Sequence, residues 1–225
     1  MGIEEKQQKL EEIAKQVVVC RRCNLYKNAT NPVPGEGNPD AKIMFVGEGP
    51  GFWEDKKGRP FVGQAGKLLD QLLSTIGGSA PGGQLIKLGR ENVFITNVIK
   101  HRPPNNRDPL LEEIKACEPF LNEQIKIIDP EIIVTLGRFS MGRFLPNEFI
   151  SKIHGQARFV DFAGKKRIII PMYHPAAALR SSIMMEEIKK DFQKIVQFLE
   201  RSQEVLETQV VEDKDKNESD QMSLI

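Results

Sequence analysis

The stretch Ile43-Met44-Phe45-Val46, followed by Gly47-Glu48-Gly49-Pro50-Gly51, decides how this chain is read. Four apolar residues with no charge between them fit a strand buried on both faces, and the glycine-rich turn after them ends it at a place suited to function. Residues 93–97 and 132–136 repeat the pattern. Helical spacing is expected over residues 3–18 (Ile3, Leu10, Ile13, Ala14 and Val17), 63–76, about 110–127, 137–145 and 184–199, and a hairpin over 158–162 and 167–170. Residues 30–40, rich in Pro and Gly, read as loop. Strands alternating with helices imply an α/β fold with a mainly parallel sheet covered on both faces. Ligands bind such sheets beyond the carboxyl ends of the strands, so the loops after Val46, Asn97 and Ile170 are expected to meet at one site.

The 225 residues suffice for one sizeable core, expected over residues 1–200, with an acidic, disordered tail over 201–225. That tail holds three basic and seven acidic side chains, so the net charge of +1 divides into −4 there and +5 before it. A body of that charge permits a polyanionic partner without demanding one. The hydrophobic and charged fractions, 40% and 28%, exclude a collagen-like chain and a disulfide miniprotein. Apolar runs such as 132–136 and 168–172 fall far short of the roughly 20 residues that cross a bilayer. The first 15 residues, dotted with glutamates, lack the basic start and apolar middle of a secretory signal, and a cytoplasmic location is expected. Three cysteines then argue for metal or thiol chemistry rather than a disulfide framework.

Cys20-Arg21-Arg22-Cys23 can present two thiolates to one metal or cluster, and Cys117 adds a third far downstream. His101, beside Pro103-Pro104 and 16 positions before Cys117, is the candidate for a fourth ligand. The residues do not choose between zinc and iron, nor between ligation and a loop histidine. Gly47 and Gly49 remove side chains where a strand ends, so a flat or charged ligand can approach the backbone while Glu48 supplies a carboxylate. A dinucleotide fingerprint would run from these glycines directly into a helix, but Phe52 to Lys57 intervene before Gly58. Phe61, in a stiff turn between Pro60 and Gly63, offers a stacking platform or a core ring. Asn97 closes its strand with an amide able to read a base edge. His174-Pro175-Ala176-Ala177-Ala178-Leu179-Arg180 puts an imidazole, an apolar tip and a cation in one loop. His154 reads as a surface histidine.

Taken in order, these pieces resemble the uracil-DNA glycosylase superfamily, most closely its family 4, the iron-sulfur type. The similarity spans residues 18–199 and rests on Cys20-x-x-Cys23, Pro34 to Gly37, Phe45 to Gly51, Gly58 to Gly63, Ile95 to Val98, Arg102-Pro103-Pro104, Asn106-Arg107, Cys117, Val134 to Gly137 and Tyr173 to Ala176. The resemblance implies a three-layer α/β/α domain around a short, mainly parallel sheet. It also implies an enzyme that flips deoxyuridine from DNA and cleaves its N-glycosidic bond, leaving an abasic site. Phe61 would stack on uracil, Asn97 would read its amide edge, and His174 would hydrogen-bond the oxygen on which charge builds. Glu48 would position water or stabilise the cationic sugar. Leu179 would be the wedge in the vacated stack, and Arg180 would contact a phosphate. Gly51 stands where the best-known family places a tyrosine against thymine's methyl, so thymine must be excluded by another group.

The family pattern carries four cysteines around a 4Fe-4S cluster, and His101 stands where the third is expected. The implied ligands are Cys20, Cys23, His101 and Cys117, in a cluster more labile and of higher potential than an all-thiolate one, with zinc or a 3Fe-4S cluster left open. A related branch traps uracil-DNA covalently through a histidine in an inserted loop, and Val62 to Leu68 run on without that insertion. The final Asp220-Gln221-Met222-Ser223-Leu224-Ile225 begins like a sliding-clamp-binding peptide but lacks its aromatic pair. A monomer is expected. The rival readings are a non-catalytic DNA-binding protein on the same fold with a structural metal site and, more distantly, a nucleotide-binding oxidoreductase.

Overall fold

The structure is a computed structural model that describes residues 1–79 and 85–199. In chain order it runs α1 (Ile3–Val18), β1 (Glu36–Gly37), β2 (Ile43–Gly47), α2 (Phe52–Lys57), α3 (Gln64–Thr75), β3 (Gly77–Ser79), β4 (Leu85–Lys87) and β5 (Phe94–Asn97). It continues with α4 (Leu111–Ile128), β6 (Ile132–Leu136), α5 (Arg138–Phe144), α6 (Ile150–Ile153), β7 (Arg158–Phe162), β8 (Lys165–Met172), α7 (Pro175–Ala178) and α8 (residues 182–199).

One sheet of six strands, in the order β1-β5-β2-β6-β8-β7, carries the fold. Its four central strands are parallel, and the edge strands β1 and β7 are antiparallel to their neighbours. Side chains alternate across a strand, so β2 serves two cores at once. Ile43 and Phe45 join Leu69, Leu72, Ile188 and Phe192 from α3 and α8 on one face. Met44 and Val46 join Leu10, Ile13 and Val17 of α1 and Phe120, Leu121 and Ile125 of α4 on the other. The result is the expected three-layer α/β/α fold, and the absence of charge in residues 43–46 follows from burial on both faces. Each such side chain taken out of water contributes roughly 1.5–3 kcal/mol.

Because the central strands run the same way, their carboxyl ends lie along one edge of the sheet. Gly47 is in register with Asn97, and Leu136 with Met172. Beneath that edge lies a buried polar knot. The Lys100 amine donates to Thr96 Oγ1 at 2.6 Å, Gln124 Oε1 at 2.8 Å and the Asn97 carbonyl at 2.9 Å. Gln124 in turn donates to Pro34 O at 2.7 Å. A fully buried amine is tolerated only with such partners, and burial still lowers its pKa to about 7.

Several sequence readings need correction. The 30–40 loop contains edge strand β1, and residues 77–79 and 85–87 pair as antiparallel strands absent from the periodicity reading. Ile3 is exposed, so the buried stripe of α1 is Leu10, Ile13 and Val17. His154 is no simple surface histidine. Its Nδ1 lies 2.6 Å from the buried Asp191 carboxylate and its ring packs 4.5 Å from Tyr173, tying α6 to α8. The acidic tail and its clamp-like end lie outside the described residues. No helix among the described residues is long and apolar enough to cross a membrane.

Candidate active site

The carboxyl edge of the sheet opens into a cleft of about 660 Å³ lined by Glu48, Glu54, Phe61, Asn97, Arg138, His174 and Arg180, among others. At its floor β2 ends on Gly47, whose carbonyl accepts from Val98 N at 3.0 Å, so the parallel pairing continues one step past β5. A Cβ on Gly47 would lie 2.6 Å from Phe61 Cζ, and closer still to Asn97 Oδ1. The ring and the amide therefore converge over a position that only glycine can occupy without displacing them. Asn97 is 1% exposed, and its Oδ1 has no hydrogen-bond partner among the described residues. A buried acceptor left unsatisfied costs about 1–3 kcal/mol, which a ligand N–H would recover.

Phe61 holds a left-handed backbone, φ 50°, that a bulky residue adopts only under constraint. The constraints are visible. The next two amides, Val62 N and Gly63 N, both donate to Glu54 Oε1 at 2.8 Å. Arg90 donates to the carbonyls of Pro60, at 3.0 Å, and Phe61. The backbone of Gly66 lies so close to the Phe61 carbonyl that any Cβ there would overlap it. The turn is thus fixed from three sides, and Gly63 then N-caps α3 with no insertion between them.

His174 caps α7, its Nδ1 accepting the Ala176 N–H at 3.1 Å. That bond puts the ring proton of the neutral imidazole on Nε2. Burial lowers the His174 pKa to about 4, against an opposing pull from Glu54, so the ring is neutral near neutral pH. It stacks against Phe61 with centroids 5.7 Å apart. Glu48 follows Gly47 directly. Burial, assisted by the like charge of Asp108, raises its carboxyl pKa, while Arg138, ion-paired to Asp108, pulls the other way. Arg180 lines the cleft and makes no ion pair among the described residues, whereas Leu179 projects from the end of α7, about half exposed.

Residues 34–200 match the family model described as Uracil DNA glycosylase superfamily. The protein named Type-4 uracil-DNA glycosylase from Sulfurisphaera tokodaii is 50% identical over 193 residues, covering 83% of each chain. Proteins of the same name from Archaeoglobus fulgidus and Saccharolobus solfataricus are 46% and 45% identical, covering 88% and 84% of this chain and 96% and 86% of their own. The chain belongs to the type-4 uracil-DNA glycosylase family.

In this type-4 family member, Gly47, Glu48, Gly49, Phe61, Asn97, His174 and Arg180, each singled out in the sequence, gather at one cleft. Sequence reasoning missed Glu54, Asp108 and Arg138. Arg138 could have been found by the rule applied to the other strands, since it opens α5 just past the carboxyl end of β6, with Gly137 between. Glu54 was hidden because α2, six residues long, shows no period. A Cβ on Gly51 would come within 2.8 Å of Glu54 Oε2, so this carboxylate fills the space beside that glycine.

The sulfur donors lie off the cleft, on the α1/α4 face. Cys117 is buried in that core, and Cys20 and Cys23 pack against it. Cys23 and Cys117 act as an interacting pair, which holds the Cys23 thiol below its ordinary range and pushes that of Cys117 up. Three thiols are the right donors in kind for a thiolate-held centre. His101 is buried, and its pKa is lowered by burial against the pull of Asp55. Among the described residues no three His, Cys, Asp or Glu side chains, the three thiols included, are grouped closely enough to hold a single metal ion.

Proposed function

We propose that this chain is a DNA repair glycosylase that flips deoxyuridine out of DNA and hydrolyses its N-glycosidic bond. The observation that carries the reading is Asn97 Oδ1, buried and without a partner among the described residues, in one cleft with Phe61 and a His174 whose proton lies on Nε2. Uracil offers the complement, with N3–H for Oδ1, O4 for the Asn97 amide N–H, a flat face for Phe61 and O2 for His174 Nε2–H.

Breaking the C1′–N1 bond leaves the electron pair on uracil, spread onto O2, and positive charge on the sugar. His174 donates to O2 without first losing or gaining a proton, because its ring is already neutral. A preorganised donor of this kind contributes roughly 10²–10³ in rate. Glu48, as the carboxylate, faces the cationic sugar and orients the water whose oxygen adds to C1′. Arg180 holds a phosphate, and Leu179 fills the gap left in the stack. Glu54 stands in for the bulk that Gly51 lacks, so thymine's extra methyl meets a carboxylate. The 4Fe-4S cluster would be held by Cys20, Cys23, Cys117 and His101, and when bound it would cross-link the end of α1, the loop after β5 and α4. The leaving uracil anion takes its proton from water.

Incubation with an end-labelled uracil oligonucleotide, then alkaline cleavage at abasic sites, tests the reading. The parent is expected to cut at uracil, and Asn97→Ala and His174→Ala to lose roughly 10²-fold or more. A folded parent that binds the DNA without cutting it would establish the non-catalytic alternative.

A further inference from the structure

Trp53 is the chain's single tryptophan, and it is 54% exposed beside Phe52 at 45%. Both open α2, directly after the Gly47 to Gly51 turn, and neither is used by the site described above. The two rings meet edge to face, 5.2 Å apart at 82°, so Phe52 props the indole. Phe52 in turn is covered by the Arg102 guanidinium at 5.2 Å and approached by the Lys56 amine at 5.9 Å. Arg102 is pinned by Asn106 Oδ1 at 2.6 Å, and Asn106 lines the cleft. On the other side, indole Cδ1 would lie 3.4 Å from a Cβ on Gly63, so Trp53 rests on the turn that fixes Phe61. An aromatic pair with two cations therefore bridges the cleft rim from the Phe61 turn to the 102–107 loop.

We infer that Trp53, buttressed by Phe52, is a stacking shelf for an unpaired base next to the flipped deoxyuridine, with Arg102 and Lys56 serving the adjoining phosphate. The inference rests on the glycosylase reading of the cleft. Two cations of one sign beside exposed rings suit a polyanion carrying flat apolar faces, which is single-stranded DNA. In a duplex the neighbouring base is paired and sandwiched, so its face is not free for the indole. The shelf therefore gives the chain tighter binding to single-stranded substrate than to duplex of the same sequence.

The test uses the full-length holoprotein and an oligonucleotide with 2′-fluoro-2′-deoxyuridine, whose fluorine disfavours positive charge on the sugar and so resists cleavage. Indole emission is read for the parent, and the anisotropy of labelled DNA for the parent, Trp53→Ala and Trp53→Phe. Single-stranded DNA is expected to quench the emission. Trp53→Ala is expected to weaken single-strand binding roughly ten-fold and duplex binding less than about two-fold, with Trp53→Phe recovering most of the loss. Binding with unchanged emission, or equal weakening on both DNAs, would overturn the shelf while uracil excision by the parent left the glycosylase reading standing. A parent that neither binds nor excises would overturn both.

Discussion

Replacing Gly47 by alanine separates the site from the fold. The φ of Gly47 lies outside the left-handed region, so alanine strains no backbone there. Its Cβ would, however, stand 2.6 Å from Phe61 Cζ and nearer to Asn97 Oδ1, where carbon contacts normally settle at about 3.5–4 Å. Ring or amide must retreat by about 1 Å, a misplacement that costs about 10²-fold in rate. For stability, overpacking costs about 1–3 kcal/mol and the stiffer unfolded chain returns about 0.4–1 kcal/mol, a net loss of about 0–2.6 kcal/mol. At about 2–4 °C per kcal/mol, Tm drops by no more than about 10 °C. Single-turnover uracil release, with a thermal melt on the same preparation, reads both numbers. A folded Gly47→Ala protein working within about three-fold of the parent would refute the convergence of Phe61 and Asn97 over Gly47 as the basis of the pocket.

Four further outcomes are expected. Glu54→Ala leaves the Val62 and Gly63 amides without an acceptor, so denaturant melts should show a loss of about 1–3 kcal/mol, and competition assays a smaller preference for uracil over thymine. The acid limb of kcat/KM should be set by Glu48, above the ordinary carboxylate range, because His174 stays neutral down to about 4, and Glu48→Gln should move that limb toward about 4 in a pH–rate profile. His174 also bears on stability: between its unfolded value of 6.5 and about 4 the unfolded chain binds a proton that the folded chain refuses. Stability therefore falls as pH drops through that window, and His174→Gln should flatten the decline in melts across pH. Lys100→Met removes three buried hydrogen bonds, including one to the Asn97 carbonyl, and should cost about 1–3 kcal/mol in urea titration while lowering excision.

The sheet was legible because its central strands are buried on both faces and so carry no charge between residues 43 and 46, 94 and 95, or 132 and 134. β1 was not, since two residues inside a Pro and Gly loop gain their pairing only from β5. Residues that end a strand announced the site: Gly47, Asn97 and His174 each follow an apolar run, and the topology brings those ends together. Glu54 gave no such signal, because its role depends on two amides eight and nine positions on. His154 was misread because its partner Asp191 lies 37 residues away. The cysteines named the donor types of a metal site, but spacing could not say whether His101 would stand beside them. The roles on uracil came from the family resemblance.

The most direct test of the account is the single-turnover rate of uracil release, balanced mole for mole against new abasic sites, for the parent and Asn97→Ala on one oligonucleotide. Release by the parent that falls roughly 10²-fold or more in a folded Asn97→Ala protein is the predicted result. Equal rates in the two proteins would contradict it, because the buried, unsatisfied Asn97 Oδ1 would then have no part in reading the base.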